Sequence, residues 1–142
     1  MNDTASLLRE VCQGCKYAIE SIEIARKYAT DERVASVLRA SGESHKKIQR
    51  AASQGLKKEG VKEISHPAIG ALMTKAQMNI TLMLSSKPKS IAGVIIDGCN
   101  MGIKTVSKYK NRYPKASEEC RGLADGLILA ERELSSGMLK FL

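Results

Sequence analysis

"HPAIGALMTKAQMNITLML", residues 66–84, is the stretch that decides how this chain folds. It lies inside a long connection, residues 57–90, between two regions of clear helical periodicity. A structureless loop of that length sits badly in a compact domain. The segment has an order of its own, because Ile69, Leu72/Met73, Ala76, Ile80 and Met83/Leu84 recur at helical spacing. Pro67 suits a first helical turn, where a backbone N–H would have no partner in any case. A charged segment precedes the stretch and "SSKPKS", residues 85–90, follows it. The spacing therefore predicts a short crossover helix, and the chain on either side of it must form two separate helical pairs. Met78 and Leu82 fall off the main stripe and are expected to present a second apolar face to another subunit.

Upstream, Leu8, Cys12, Cys15, Ile19 and Ile22 trace the seam of a first amphipathic helix, with Asp3 or Thr4 as its cap. Thr30 is the expected cap of a second helix, whose face carries Val34, Val37/Leu38, Ser41, His45, Ile48 and Ala52. That helix should end near Gly55, with Gly60 beyond. Downstream, Ala92, Ile95/Ile96, Cys99, Ile103 and Val106 mark a third helix. Pro114 suits the first turn of a fourth, with Cys120, Ala124, Leu127, Leu134 and Met138 along its face. Almost nothing alternates as a strand would.

The two halves are related. Moving the first helix along by 98 − 14 = 84 positions lays Gly14-Cys15 on Gly98-Cys99 and Ile19 on Ile103. Moving the second by 132 − 50 = 82 positions lays Arg50 on Arg132, Ser53 on Ser135 and Gly55 on Gly137. Two similar hairpins joined by a crossover define one class of four-helix bundle, in which the middles of all four helices face a common axis. The expected fold is all-α, with residues 1–142 as one domain.

Composition agrees with a globular chain: hydrophobic residues are 43% and charged residues 27%. The net charge of +8 permits weak attraction to nucleic acid or anionic lipid, but the basic residues are scattered. The densest group, "KTVSKYKNRYPK" at residues 104–115, reads as a solvated helix end, so nucleic-acid binding is not expected. Residues 1–9 lack the basic start and apolar run of a secretory signal, and no apolar stretch approaches the ~20 residues that span a bilayer. A cytoplasmic location with no membrane attachment is expected. The four cysteines are then reduced thiols and not a disulfide framework.

With these elements in place the sequence resembles the ferritin-like superfamily. Within it, the chain is most similar to a family of uncharacterised bacterial ferritin-like four-helix-bundle domains, a domain of unknown function with a short crossover helix. The likeness is carried by "CQGCKYAIESIEIARKYATDERVASVLRASGESHKKI", by the crossover stretch and by "IIDGCNMGIKTVSKYKNRYP". Di-iron members of the superfamily supply a Glu from the first and third helices and Glu-x-x-His from the second and fourth. By register, those places hold Cys15, Cys99, Gly42-x-x-His45 and Ala124-x-x-Leu127, so His45 alone remains of that ligand set. Glu43 and Asp125 lie one residue off, about 100° around their helices. A di-iron centre is not expected.

The resemblance implies instead that Cys15, Cys99 and His45 converge at mid-bundle, with Cys12 and Cys120 nearby because the first and fourth helices run parallel. Thiolates and imidazole suit zinc or copper(I), which are the expected metals if the pocket is filled. The plain alternative is that buried cysteines pack as small hydrophobes. Cys12 and Cys15 also have the spacing of disulfide-exchange motifs, but those stand at a helix start beside a strand. Here Leu7, Leu8 and Val11 put the helix already under way. His45 has Ser41 one turn back as a hydrogen-bond partner, His66 reads as a turn residue, and Met73, Met78 and Met83 read as packing. No phosphate loop, nucleophile elbow or zinc-protease histidine pair is present, and no enzyme is expected. The functional expectation is a non-enzymatic metal-binding or redox-responsive protein with a Cys/His pocket, homodimeric through the crossover helix. The alternative is a structural or interaction bundle whose cysteines fill the core.

Overall fold

The computed structural model describes residues 1–63 and 75–142. Among the described residues there are five α-helices and no strand. They are α1 (Asp3–Tyr28), α2 (Glu32–Lys58), α3 (Lys75–Leu84), α4 (Pro88–Arg112) and α5 (Glu118–Met138), with a 3-10 turn at Leu139–Phe141. The expected all-α class is observed. The crossover helix is observed from Lys75 onward, while Pro67, Ile69, Leu72 and Met73 lie outside the described residues.

The helix ends show which polar side chains win the free backbone N–H groups. Asn2 caps α1 by accepting from the Ala5 N–H at 2.8 Å, one or two residues ahead of the expected Asp3 or Thr4. Those two side chains are committed elsewhere: the Asp3 carboxylate accepts from the Lys115 N–H and the Thr4 hydroxyl from the Ser117 N–H, both at 2.9 Å. Asp31, not Thr30, caps α2, accepting from the Arg33 N–H at 2.8 Å while its second oxygen pairs with the Arg33 guanidinium. Pro114 does not open α5. Ser117 does, accepting from the Cys120 N–H at 3.2 Å, and Glu118 and Glu119 follow in the first turn, where negative charge favours the helix dipole. The second helix runs past Gly55 to Lys58. It stops because Gly60 takes the left-handed φ of 68°, letting Gly60 N–H reach the Lys57 carbonyl and Val61 N–H reach the Leu56 carbonyl.

Side-chain pairs give the helix directions. Leu8 lies against Gly55 and Ile22 against Gly42, so α1 and α2 form an antiparallel hairpin. Glu131 under Gly102 and the Lys110–Asp125 ion pair do the same for α4 and α5. Val37 meets Gly137, His45 meets Glu131 and Ile48 meets Gly126, which makes α2 and α5 antiparallel neighbours. Cys120 donates to the Thr4 carbonyl and Leu127 lies on Gly14, so α1 and α5 run parallel. α2 and α4 therefore point the same way, which puts the end of α2 and the start of α4 at opposite ends of the bundle.

α3 packs on α1 and α4, and the Tyr28 hydroxyl donates to the Asn79 side-chain oxygen at 3.0 Å. Its faces are inverted relative to expectation. Met78 and Leu82, expected at a subunit interface, are 3% and 0% exposed and enter the core beside Ile22 and Ile91. Ile80, Met83 and Leu84, expected in the core, are exposed. Both stripes of this short helix are apolar, so periodicity alone does not choose between them, and tertiary packing does.

The core falls into two clusters. One gathers Leu7, Val11, Cys12, Cys15, Cys120 and Leu127, with their neighbours. The other gathers Ile22, Leu38, Ile91, Cys99, Leu134 and Met138, with theirs. A polar layer at the level of His45 and Glu131 lies between them. No helix among the described residues is long and apolar enough to cross a membrane.

Candidate ligand groove and its buried His45–Glu131 pair

His45 is fully buried in the middle of α2, with Gly42 one turn back leaving room for Ile22 of α1. Its Nδ1 lies 2.8 Å from the Ser41 carbonyl oxygen, which can only accept, so Nδ1 carries a proton. Its Nε2 lies 3.0 Å from Oε1 of Glu131, itself only 5% exposed on α5. Burial opposes a charge on His45, but the hydrogen bond and charge of Glu131, with the Ser41 carbonyl, outweigh it and raise the histidine above its ordinary range. The pair is neutral as a unit, which is how two ionisable groups tolerate a core position.

Glu131 escapes the sequence reading for a definable reason. The N-caps of α2 and α5 are 117 − 31 = 86 positions apart, and so are His45 and Glu131, at 131 − 45 = 86. The two bonded side chains therefore occupy equivalent places in the two hairpins. The shift of 82 taken from Arg50, Ser53 and Gly55 is one helical turn short. A slip of one turn preserves the apolar phase, so it directs attention to Ala124 and Leu127 instead of Ile128 and Glu131. The N-cap pair Asp31 and Ser117 is the signal that corrects it.

The expected site residues do not form one cluster. Glu131 interacts with Cys15 and Cys99 as well as with His45. Burial, then Glu131 charge and a hydrogen bond to its carboxylate, push the Cys99 thiol far up, and burial, Cys12 and Glu131 do the same to Cys15. Cys12 lies off to one side beside Glu63 and is pushed up to about 11 by burial and by that carboxylate. Glu63 in turn is held down at about 2, first by the hydrogen bond from Lys16 at 2.6 Å. Cys120 is far away: its thiol bonds the carbonyl of Thr4, which precedes Cys15 by about 16 Å of helical rise. Burial pushes Cys120 up to about 11. Among the described residues no three His, Cys, Asp or Glu side chains come together as a metal ion would require. Glu43 and Asp125 both face outward, on Lys46 and Lys110.

The feature that the sequence did not announce is a groove between α1 and α4. It has a volume of about 290 Å³ and a mainly apolar lining that includes Ile22, Met78, Ile95, Val106 and Leu127. Gly14, Gly98 and Gly102 all line it, and a Cβ built on Gly98 would meet nothing within 4 Å. At Gly102 a Cβ would lie 3.2 to 3.4 Å from the Glu131 carboxylate, so this glycine admits the buried acid to the groove floor. The repeated Gly-Cys pairs thus divide their labour. In each, the cysteine turns into the core and the glycine, one position earlier and about 100° around the helix, lines the groove: Gly98 faces its open space, and Gly14 makes room for Leu127.

Chemically, the arrangement offers an apolar slot with a hydrogen-bonded carboxylate–imidazole pair at its base. His45 stands behind Glu131 and outside the lining, so it acts on an occupant only through the carboxylate. Comparison of the chain with protein-family models, with curated proteins and with solved structures found no match.

Proposed function

We propose that this chain is a non-enzymatic, ferritin-like binding bundle that takes a small apolar molecule in the groove between α1 and α4. The observation that carries the reading is the groove itself, open beside Gly98 and floored by the buried acid that Gly102 admits. Its volume of about 290 Å³ lies just below the ~300–1,000 Å³ typical of small-molecule sites, which suits a small occupant. The hairpin–crossover–hairpin topology and the parallel α1 and α5 support the ferritin-like comparison. In that comparison the place of iron-binding side chains is taken by Cys15, Cys99, His45 and Glu131.

Gly98→Leu tests the reading, since a Cβ at this groove-lining position meets no protein atom within 4 Å and leucine improves helix propensity. Wild-type protein should bind the neutral apolar dye N-phenyl-1-naphthylamine saturably, with enhanced fluorescence, and the variant should not. Equal binding by the two proteins would move the site elsewhere. No binding by either would favour a purely structural or interaction bundle, with dimerisation as its natural function.

One observation favours a second reading, a metal- or thiol-redox response: Glu131 touches Cys15, Cys99 and His45 electrostatically. Zinc or copper(I) would be the metal. Against it, no three His, Cys, Asp or Glu side chains among the described residues come together as a metal ion would require. Co²⁺ titrated into reduced protein distinguishes the two. The groove reading expects no sulfur-to-metal charge-transfer band, and the metal reading expects one that Cys99→Ser removes.

A further inference from the structure

We infer that the molecule the groove selects is a small apolar cation. This rests on the groove's being a binding site, and it adds the charge of the occupant. The chain has 23 Lys and Arg residues against 15 Asp and Glu, a formal excess of +8. The groove reverses that balance. Among the described residues its lining holds three carboxylate side chains, Glu10, Asp97 and Glu131, and no Lys, Arg or His. Most of the basic residues close by in sequence are turned away, and Arg112 is the one that lies near enough to Tyr109 to act on its phenol. Lys16 reaches Glu63 outside the groove, Lys110 reaches Asp125, and Lys104 and Lys108 are exposed on α4.

The three acids differ in depth. Asp97 is exposed at the rim, Glu10 is half-buried, and Glu131 lies under Gly102 on the floor. A charge inside a mainly apolar slot interacts strongly because little water screens it. The charge of Glu131 is offset by His45 behind it, so the field on an occupant comes from Glu10 and Asp97: an anion would meet repulsion from both, and a neutral molecule would leave that field unused.

Two further features fit a cation and not merely a positive potential. Tyr17 and Tyr109 lie in the lining, and aromatic faces attract alkylated ammonium groups. Burial, then the neighbouring charge of Glu10, raises the Tyr109 phenol, which stays neutral and keeps its electron-rich face. Met78 and Met101 supply polarisable sulfur along the apolar wall. The occupant that matches is an alkyl or aryl ammonium compound, with its apolar part between α1 and α4 and its charged head toward the carboxylates.

Three probes of equal chain length separate charge from apolar binding: octyltrimethylammonium, 1-octanol and octanoate. Isothermal titration calorimetry on the wild-type protein should show the cation binding at least tenfold more tightly than octanol, with octanoate weakest. The combined variant Glu10→Gln/Asp97→Asn should bring the cation's affinity down to that of octanol. Gly98→Leu should abolish binding of all three. If octanol or octanoate binds as tightly as the cation, the charge inference is overturned while the groove remains a site. If none of the three binds wild-type protein, the groove reading falls with it. Cation binding that survives Gly98→Leu would put the site outside the groove, and that result too would overturn the proposal.

Discussion

The His45–Glu131 pair makes a prediction whose size follows from its surroundings. Replacing His45 with Leu leaves a carboxylate at 5% exposure without its partner, and removing one member of a buried ionic pair costs about 3–5 kcal/mol. Replacing Glu131 with Leu is milder. The imidazole that remains can give up its extra proton and keep its bond to Ser41, so the loss is that of one unsatisfied neutral group, about 1–3 kcal/mol. The double variant removes both polar groups and lets the two apolar clusters meet. Such replacements are neutral or stabilising by about 1–4 kcal/mol.

The two single losses, roughly 4–8 kcal/mol together, should therefore vanish when combined. Urea unfolding measures this. At a slope of about 2 kcal/mol per molar, His45→Leu moves the midpoint down by between ~1.5 and 2.5 M, and the double variant returns it to wild type or beyond. Single losses that are each under about 1 kcal/mol and simply add would refute the reasoning, because they would mean that the pair is solvated or unformed.

Protonation gives a second test. His45 binds its proton more tightly folded than unfolded, so the stability the pair supplies is whole below the ordinary histidine value of 6.5 and is lost as pH rises through the raised folded value. Wild-type stability should fall across that rise relative to the His45→Leu/Glu131→Leu variant, and a difference between the two that ignores pH would contradict it. Leu82→Glu, which an interface on that face would tolerate, should abolish cooperative unfolding because the position is fully buried, whereas Leu84→Glu at 84% exposure should stay within about 0.5 kcal/mol of wild type by urea titration. In native protein at pH 8, iodoacetamide should modify Cys99 and Cys15 last, since Glu131 and burial hold them protonated; prompt modification of Cys99, followed by mass spectrometry, would count against that arrangement.

What the sequence made legible is what repeats along a helix. Apolar phase placed the four long helices, put Cys15, Cys99 and His45 on inward faces, and required a helix in the crossover. It could not rank Asn2 against Asp3, or Ser117 against Pro114, because capping depends on which side chain is free once the chain has turned back on itself. It also could not orient α3, whose two faces are equally apolar. The buried acid was hidden by a subtler degeneracy: a register error of one turn leaves every hydrophobic position in place. Glu131 resembles a surface residue beside Arg132 and Glu133, and only its partner across the bundle marks it as internal. The groove was illegible for a different reason. Glycines in a helix report missing volume, and where that volume collects depends on how two helices face each other.

The bonds from Asp3 and Thr4 to the α4–α5 connection make the start of the chain a clasp. Chain ends normally tolerate trimming and fusion. Here the first helical turn holds two backbone N–H groups that lie 112 and 113 positions away in the sequence, one of them at the N-cap of α5. The clasp can close only after both hairpins exist and have met, so it adds nothing to the folding of either and acts on their union. A deletion that takes Asn2, Asp3 and Thr4 with it should therefore loosen the joint between the hairpins while each keeps its helices. An affinity tag meant to leave the molecule undisturbed belongs at the other terminus, where Leu142 is exposed and follows the last turn.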